Sequence, residues 1–180
     1  MRWMCVTLLA LASASTAGGQ VLWAGLAAGT SWTWKAPTAP DQNFLHSSDG
    51  APSVFVAFPF YEGDSLVRLQ AADLPFEPVI DGVGWPGKLR AYTVGVDYFF
   101  RGVFGEFVVS GGLGSYDLQL KAQHPPADVE GQEFGWYLGV GEWFQLSRRW
   151  RVTAEVKMHR AENLGKPIVV AATAGLAFAF

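Results

Sequence analysis

The final stretch of the chain sorts its residues by parity. Ile168, Val170, Ala172, Ala174, Leu176, Phe178 and Phe180 fall on one side of an extended backbone, and Val169, Ala171, Thr173, Gly175, Ala177 and Ala179 on the other. The stretch before it divides more sharply. Trp150, Val152, Ala154, Val156 and Met158 stand against Arg151, Thr153, Glu155, Lys157 and His159. Side chains alternate across a strand with a period of two, so the split predicts a strand with one apolar and one polar face. Tyr92, Val94, Val96, Tyr98 and Phe100 likewise oppose Thr93, Gly95 and Asp97. The same reading predicts eight strands, near 20–33, 52–61, 65–74, 88–100, 103–119, 132–146, 149–160 and 168–180, bounded by Gly, Pro, Asp or Asn. No segment holds a helical period over three turns.

The connections alternate in length. Glu62-Gly63-Asp64, Arg101-Gly102 and Ser147-Arg148 read as hairpin turns of two or three residues. The others are longer: Trp34 to Ala51, Pro75 to Gly87, Leu120 to Gly131 and Ala161 to Pro167. Short turns at one end and long loops at the other form the pattern of outer-membrane barrels, with the short turns in the periplasm. The predicted fold is therefore all-β: an eight-stranded antiparallel up-and-down transmembrane β-barrel over residues 20–180.

A soluble sandwich shows the same alternation with its apolar face inside. Two features favour the inverted arrangement. Aromatic residues gather at the short-turn ends (Trp23, Phe60, Tyr61, Tyr98, Phe100, Phe104, Trp143, Phe144, Trp150, Phe178, Phe180) and at the long-loop ends (Trp32, Trp34, Trp85, Tyr92, Tyr116, Trp136). Two girdles flanking an aliphatic band match a membrane with two interfaces. The polar faces mix small residues with isolated charges, as an interior only wide enough for side chains requires. Three places resist strict alternation. Glu106 and Glu142 fall badly on it, Pro59 removes a ladder hydrogen bond, and Ser110 to Gly114 is a candidate face-swapping bulge. Inward and outward residues stay open in strands two, five and six.

The first segment, MRWMCVTLLALASASTAGGQ, changes the picture of the compartment. A positive start, a short apolar run and small residues give the three-part layout of a cleavable signal peptide over residues 1–19, with Ser15-Thr16-Ala17 or Ala12-Ser13-Ala14 as the cleavage triplet. Cys5 is the single cysteine. Once the signal is removed, no disulfide, thiolate metal site or Cys nucleophile is possible. The net charge of −3 comes with no run of basic residues, which argues against a nucleic-acid partner.

Candidate chemistry concentrates on polar faces. Arg151, Glu155, Lys157 and His159 share one face of strand seven. Arg68, Gln70, Asp97 and Glu133 are placed to join them. The group reads as an internal network that neutralises charges in a packed lumen; the functional alternative is a proton relay or polar pore. His46, His124 and His159 are scattered, and the loop carboxylates beside the first two have no EF-hand spacing, so neither metal nor cofactor is expected. Gly139 and Gly141 sit within a strand pattern and let inward side chains pass. The first long loop, with Lys35-Ala36-Pro37-Thr38-Ala39-Pro40, reads as extended and exposed, either a solvated cap or a surface for adhesion or ligand capture.

Three stretches carry a family resemblance: FVVSGGLGSYDLQL (Phe107 to Leu120), EFGWYLGVGEWFQLSRRWRVTAEVKMHR (Glu133 to Arg160) and the terminal Phe180. In that order, behind a signal segment, they resemble the small eight-stranded outer-membrane β-barrel proteins, the group of the OmpA transmembrane domain and OmpX. The resemblance implies outer-membrane localisation, contact with outer-membrane lipids, a monomer, and a C-terminal insertion signal at Phe178 and Phe180 read by the barrel-assembly machinery. It also implies a non-catalytic role in envelope integrity or surface interaction through the loops. Some barrels of this architecture are lipid A deacylases with a His-x-Ser pair. Here the stretch is His159-Arg160-Ala161, whose third residue has no hydroxyl. His159 is instead expected to bond a carboxylate such as Glu162. A soluble exported barrel with a ligand in its lumen is the third alternative.

Overall fold

The computed structural model describes residues 22–34, 45–46, 50–60, 64–76, 79–80, 83–84, 86–101, 105–120, 131–162 and 168–180. The signal segment, Tyr61, Trp85, Phe104 and His124 lie outside the described residues. Eight long strands form the molecule: β1 (Trp23–Trp34), β2 (Ser53–Phe60), β3 (Ser65–Phe76), β4 (Gly87–Arg101), β5 (Glu106–Leu120), β6 (Gly131–Gln145), β7 (Trp150–Ala161) and β8 (Ile168–Ala179). Each pairs antiparallel with the next, and β8 closes on β1 from Trp23↔Ala179 to Trp34↔Ile168. Within the loops, Leu45–His46 pairs with Trp32 and Thr33, and Val79–Ile80 pairs with Val83–Gly84.

Closure fixes the tilt. One line of cross-strand partners runs from Trp34 through Ile168, Arg160, Trp136, Leu113, Val94, Leu69 and Val56, and returns to β1 at Ala24, ten residues below its start. A stagger of that size around eight strands inclines them by roughly 40° to the barrel axis.

Parity decides what each face meets. Val94, Val96, Leu138, Val140, Val156 and Leu176 point outward and stay between 40 % and 55 % exposed. Thr93, Asp97, Thr153, Glu155, Lys157 and His159 point inward and are buried. An apolar wall around a charged interior is the reverse of a soluble barrel and fits a surface facing lipid. The strands left open in the sequence now resolve. In β2, Ser53, Phe55 and Ala57 face in, and Val54 and Phe58 face out. In β5, Val108, Ser110, Tyr116 and Leu118 face in, and Phe107, Val109 and Leu113 face out. In β6, Tyr137 and Trp143 face in, and Phe134, Leu138 and Val140 face out. Glu106 therefore belongs to the inner face of β5, and Glu142 to the outer face of β6.

Several expectations need correction. No bulge interrupts Ser110 to Gly114; pairing with β4 and β6 is continuous through it. Those glycines serve close approach instead. Gly95 and Gly112 face each other across β4 and β5, and the Tyr137 ring lies over both. A Cβ on Gly112 would sit 2.6 Å from the ring, and one on Gly95 would sit 2.2 Å from its hydroxyl. Pro59 is tolerated because it lies one residue from the end of β2, with the register running on to Phe60↔Ser65. Each short connection spans four residues, not two or three, since the strands stop at Phe60, Arg101 and Gln145 and restart at Ser65, Glu106 and Trp150. The strand β3 also runs two residues into the expected second loop.

The girdles are thinner than the aromatic count suggested. Trp23, Tyr116 and Trp143 carry the inward parity of their strands and are buried in the lumen. The short-turn girdle keeps Phe60, Tyr98, Phe100, Trp150 and Phe180 as exposed members, and Phe134 adds to the other girdle. The inward aromatics form two apolar plugs. One holds Leu74, Phe76, Leu89, Tyr116 and Leu118 toward the long loops; the other holds Trp23, Phe55, Leu66, Val108 and Trp143 toward the short turns.

The Gly112 slot makes a sharp expectation. Gly112→Val should drive into Tyr137 and the β4 backbone, a core overpacking worth about 1–3 kcal/mol or more, and should lower the folded fraction. Gly111→Val, on the outer face of the same strand, presses only on the flexible end of Leu138, with the Tyr137 carbonyl at an ordinary contact distance, and should fold. The folded fraction of each variant, read as the unheated band in a mild-detergent gel, checks the pair.

Candidate functional site

Between the two plugs lies a layer of charge built from three strands. Arg68 on β3 reaches across the lumen to Glu155 on β7, which stands four strands away around the ring. Its two terminal nitrogens donate to the two carboxylate oxygens, Nη1 to Oε2 at 2.8 Å and Nη2 to Oε1 at 2.7 Å. This is the bidentate fork that matches a guanidinium to a carboxylate. Asp97 on β4 lies 2.6 Å from Arg68 Nη2. Neither Asp97 oxygen has an aligned hydrogen bond, so that contact acts through charge rather than direction. Lys157 Nζ sits 2.8 Å from Glu155 Oε2 and donates to Gln70 Oε1 at 2.8 Å. Trp143 Nε1 donates to Glu155 Oε1 at 3.0 Å. The Arg68 guanidinium also lies 4.4 Å from the Phe55 ring centre. Two cations meet two anions, so the layer is neutral as a whole.

Local sequence explains the fit. Lys157 pairs in register with Gly139, and Glu155 with Gly141. A Cβ on either glycine would lie 2.6–2.8 Å from the stem of the long side chain opposite. Large charged residues on β7 are thus accommodated by missing side chains on β6.

The remaining expected site residues lie elsewhere in the lumen. Arg151 is inward but at the short-turn end, where it pairs with Glu106 and covers the Trp23 ring at 4.5 Å. It takes no part in the Arg68 layer. His159 is above the layer and 2 % exposed. Its Nδ1 lies 3.1 Å from the Tyr116 hydroxyl, which donates to the Trp136 carbonyl at 3.2 Å. If the Tyr116 proton is given to that carbonyl, Nδ1 carries the hydrogen that bonds the Tyr116 oxygen. The expected bond from His159 to Glu162 is not made. His159 faces the lumen, whereas Glu162 lies by the outward-facing Trp136 and accepts from its Nε1 at 3.1 Å. Glu133 lies in register with Tyr116 at the long-loop end of β6. The sequence did not single out Tyr116, Tyr137 and Trp143 as lumen residues, although their parity within β5 and β6 would have done so.

Open space inside is scarce. A cavity of about 10 Å³, lined by Ser53, Gln70, Lys157, His159 and Thr173 among others, has room for at most one water. A second concavity is a shallow trough of about 650 Å³ on the outer wall, over Ala28, Ala154, Ala172 and Ala174. Among the described residues, no three His, Cys, Asp or Glu side chains converge as metal ligands.

A closed eight-stranded barrel with an apolar wall and a neutralised core defines the class of the small outer-membrane β-barrels. Solved structures of that class superpose on the chain. Neisserial surface protein A matches with a TM-score of 0.69 over 88 % of this chain and 97 % of its own, at 8 % identity. Ail, the attachment invasion locus protein of Yersinia pestis, matches at 0.58 over 89 % and 97 %, at 13 % identity. The N-terminal barrel domain of Pseudomonas aeruginosa OprF matches at 0.51 over 87 % and 97 %, at 16 % identity. At such identities the likeness is one of fold. No family model and no curated protein matches the sequence.

Removing Arg68 should be the costliest single change in the lumen. Arg68→Ala leaves Glu155 and Asp97 buried with one cation between them, and breaking a buried pair in this way costs about 3–5 kcal/mol. Combining Arg68→Met with Glu155→Gln, Asp97→Asn and Lys157→Met removes all four charges of the layer and should recover most of that loss. Urea unfolding in lipid vesicles, with the unaltered protein and the two variants compared, measures both numbers.

Proposed function

We propose that the protein is an integral outer-membrane barrel with a closed lumen, non-catalytic, that serves envelope integrity or surface interaction through its long loops. The observation that carries this reading is the inside-out distribution of the wall: exposed Val, Leu and Phe outside, and Arg68, Asp97, Glu155 and Lys157 neutralised inside. Such a surface is costly in water and favourable in hydrocarbon. Two apolar plugs and a charge layer leave no continuous aqueous path among the described residues. The soluble, ligand-binding alternative requires an apolar cavity, and among the described residues the middle of the lumen holds a charged layer beside a cavity with room for one water.

The hydrolase alternative is disfavoured by placement. An ester of a membrane lipid lies outside the wall, whereas His159 points into it, with Nδ1 occupied by Tyr116 and the buried Ala161 two residues on. Surface interaction has the support of a structural relative: Ail, an attachment invasion locus protein, has been solved with the heparin analogue sucrose octasulfate. Phe178, near the end of β8, and Phe180, one residue beyond it, lie in the short-turn girdle, where the Phe178 ring meets those of Trp150 and Phe180 edge to face. That position suits a role as insertion signal for the assembly machinery.

In outer-membrane fractions, boiled and unboiled samples should migrate differently in mild detergent. Recovery of the folded protein only from the soluble periplasm would overturn the reading. Val96→Arg, a charge in the middle of the lipid-facing wall, should cost about 2–4 kcal/mol of folding stability in vesicles. Replacing residues 36–44 with a Gly-Ser turn should leave the gel shift intact while removing surface binding to host or matrix components. His159→Ala should leave the lipid A profile of the cell unchanged.

A further inference from the structure

Among the cations whose side chains are described, charge pairing has one gap. Every cation whose side chain is described has a carboxylate within reach except two. Arg68 and Lys157 share Glu155, and Arg68 also meets Asp97. Lys88 and Arg90 share Asp73, Arg151 meets Glu106, and Arg160 lies 3.8 Å from Glu162. Arg148 and Arg149 stand side by side on the β6–β7 turn, exposed, and make no side-chain hydrogen bond or ion pair with the described residues.

The turn presents them rigidly. Leu146 N and Ser147 N both donate to the Trp150 carbonyl, at 2.9 and 3.1 Å. Ser147 Oγ accepts from Arg149 N and Trp150 N, and Ala179 N donates to the Arg149 carbonyl at 2.9 Å. On either side of the arginines are side chains that suit a bilayer edge. Leu146 continues the outward parity of β6 and is 64 % exposed, and Trp150 and Phe180 are 45 % and 57 % exposed in the short-turn girdle. An exposed leucine, two unpaired guanidinium groups and an amphipathic indole therefore lie together at the periplasmic interface. Aromatic and apolar groups reach the acyl boundary there, and arginine meets the phosphates.

Two described side-chain carboxylates near this end, Glu142 and Asp64, do not cancel the pair. The Glu142 carboxylate lies toward β5, where a Cβ on Gly105 would be 3.2 Å from its Oε1. Asp64 is on the β2–β3 turn, on the opposite side of the ring and beyond the screening length of roughly 8 Å at physiological salt.

We propose that the β6–β7 turn, through Arg148 and Arg149 backed by Leu146 and Trp150, is a docking site for anionic phospholipid headgroups of the periplasmic leaflet. The inference rests on the membrane reading above and adds the lipid class and the leaflet. Guanidinium groups suit it because they bind phosphate in a bidentate fork and stay charged at the interface.

The test uses the folded barrel in phosphatidylcholine vesicles doped with phosphatidylglycerol. A fluorophore on Gln145→Cys, the only cysteine once the first nineteen residues are omitted, reports lipid at the turn through quenching by brominated phosphatidylglycerol or brominated phosphatidylcholine. The unaltered turn should prefer the phosphatidylglycerol. R148Q/R149Q should lose that preference by about five-fold per arginine, while R148K/R149K keeps most of it. K88Q/R90Q, at the other rim, should leave it unchanged. Equal preference in the double glutamine variant and the unaltered turn would overturn the proposal. So would displacement by excess inorganic phosphate, which would make the site one for a free anion. Absence of the heat-dependent gel shift in vesicles would instead count against the barrel reading itself.

Discussion

The requirement that every backbone polar group in a bilayer find a partner within the protein governs this structure. An open sheet has two unpaired edges, and lipid offers them nothing. Pairing of β8 with β1 over their full length removes both. With eight strands and a ten-residue stagger, closure also fixes the tilt and the bore. The interior is then too narrow for a channel, and whatever points inward must be packed against what points inward from the opposite wall.

Charge in the lumen follows from that bore. Arg68, Asp97, Glu155 and Lys157 are buried, so each needs a partner, and the nearest partners belong to distant parts of the chain. Arg68 and Glu155 are 87 residues apart and meet only because β3 and β7 stand on opposite sides of the ring. The bridge ties the walls together. It is also a constraint, since a buried ion pair stabilises weakly relative to apolar packing but costs much when half of it is lost. Aromatic plugs above and below keep water from the layer, which strengthens its internal electrostatics.

The two membrane interfaces are treated differently. Toward the long loops, the outward charges Lys88, Arg90 and Arg160 are each matched to a carboxylate. Toward the short turns, Arg148 and Arg149 are left to the surroundings beside Leu146 and Trp150.

Sequence alone determined the strands, their number and the alternation of short and long connections, because a period of two is a local property visible in Trp150 to His159 or Tyr92 to Phe100. It also determined that the apolar faces turn outward, since girdles and scattered inward charges do not depend on who pairs with whom. It did not determine which charges meet. His159 bonds Tyr116 rather than Glu162, and Arg151 joins Glu106 rather than the central layer. Nor did it distinguish a bulge from the Gly95–Gly112 slot under Tyr137. Those outcomes depend on the register between strands and on the stagger at closure. Both are set by the whole ring at once, and no single strand contains them.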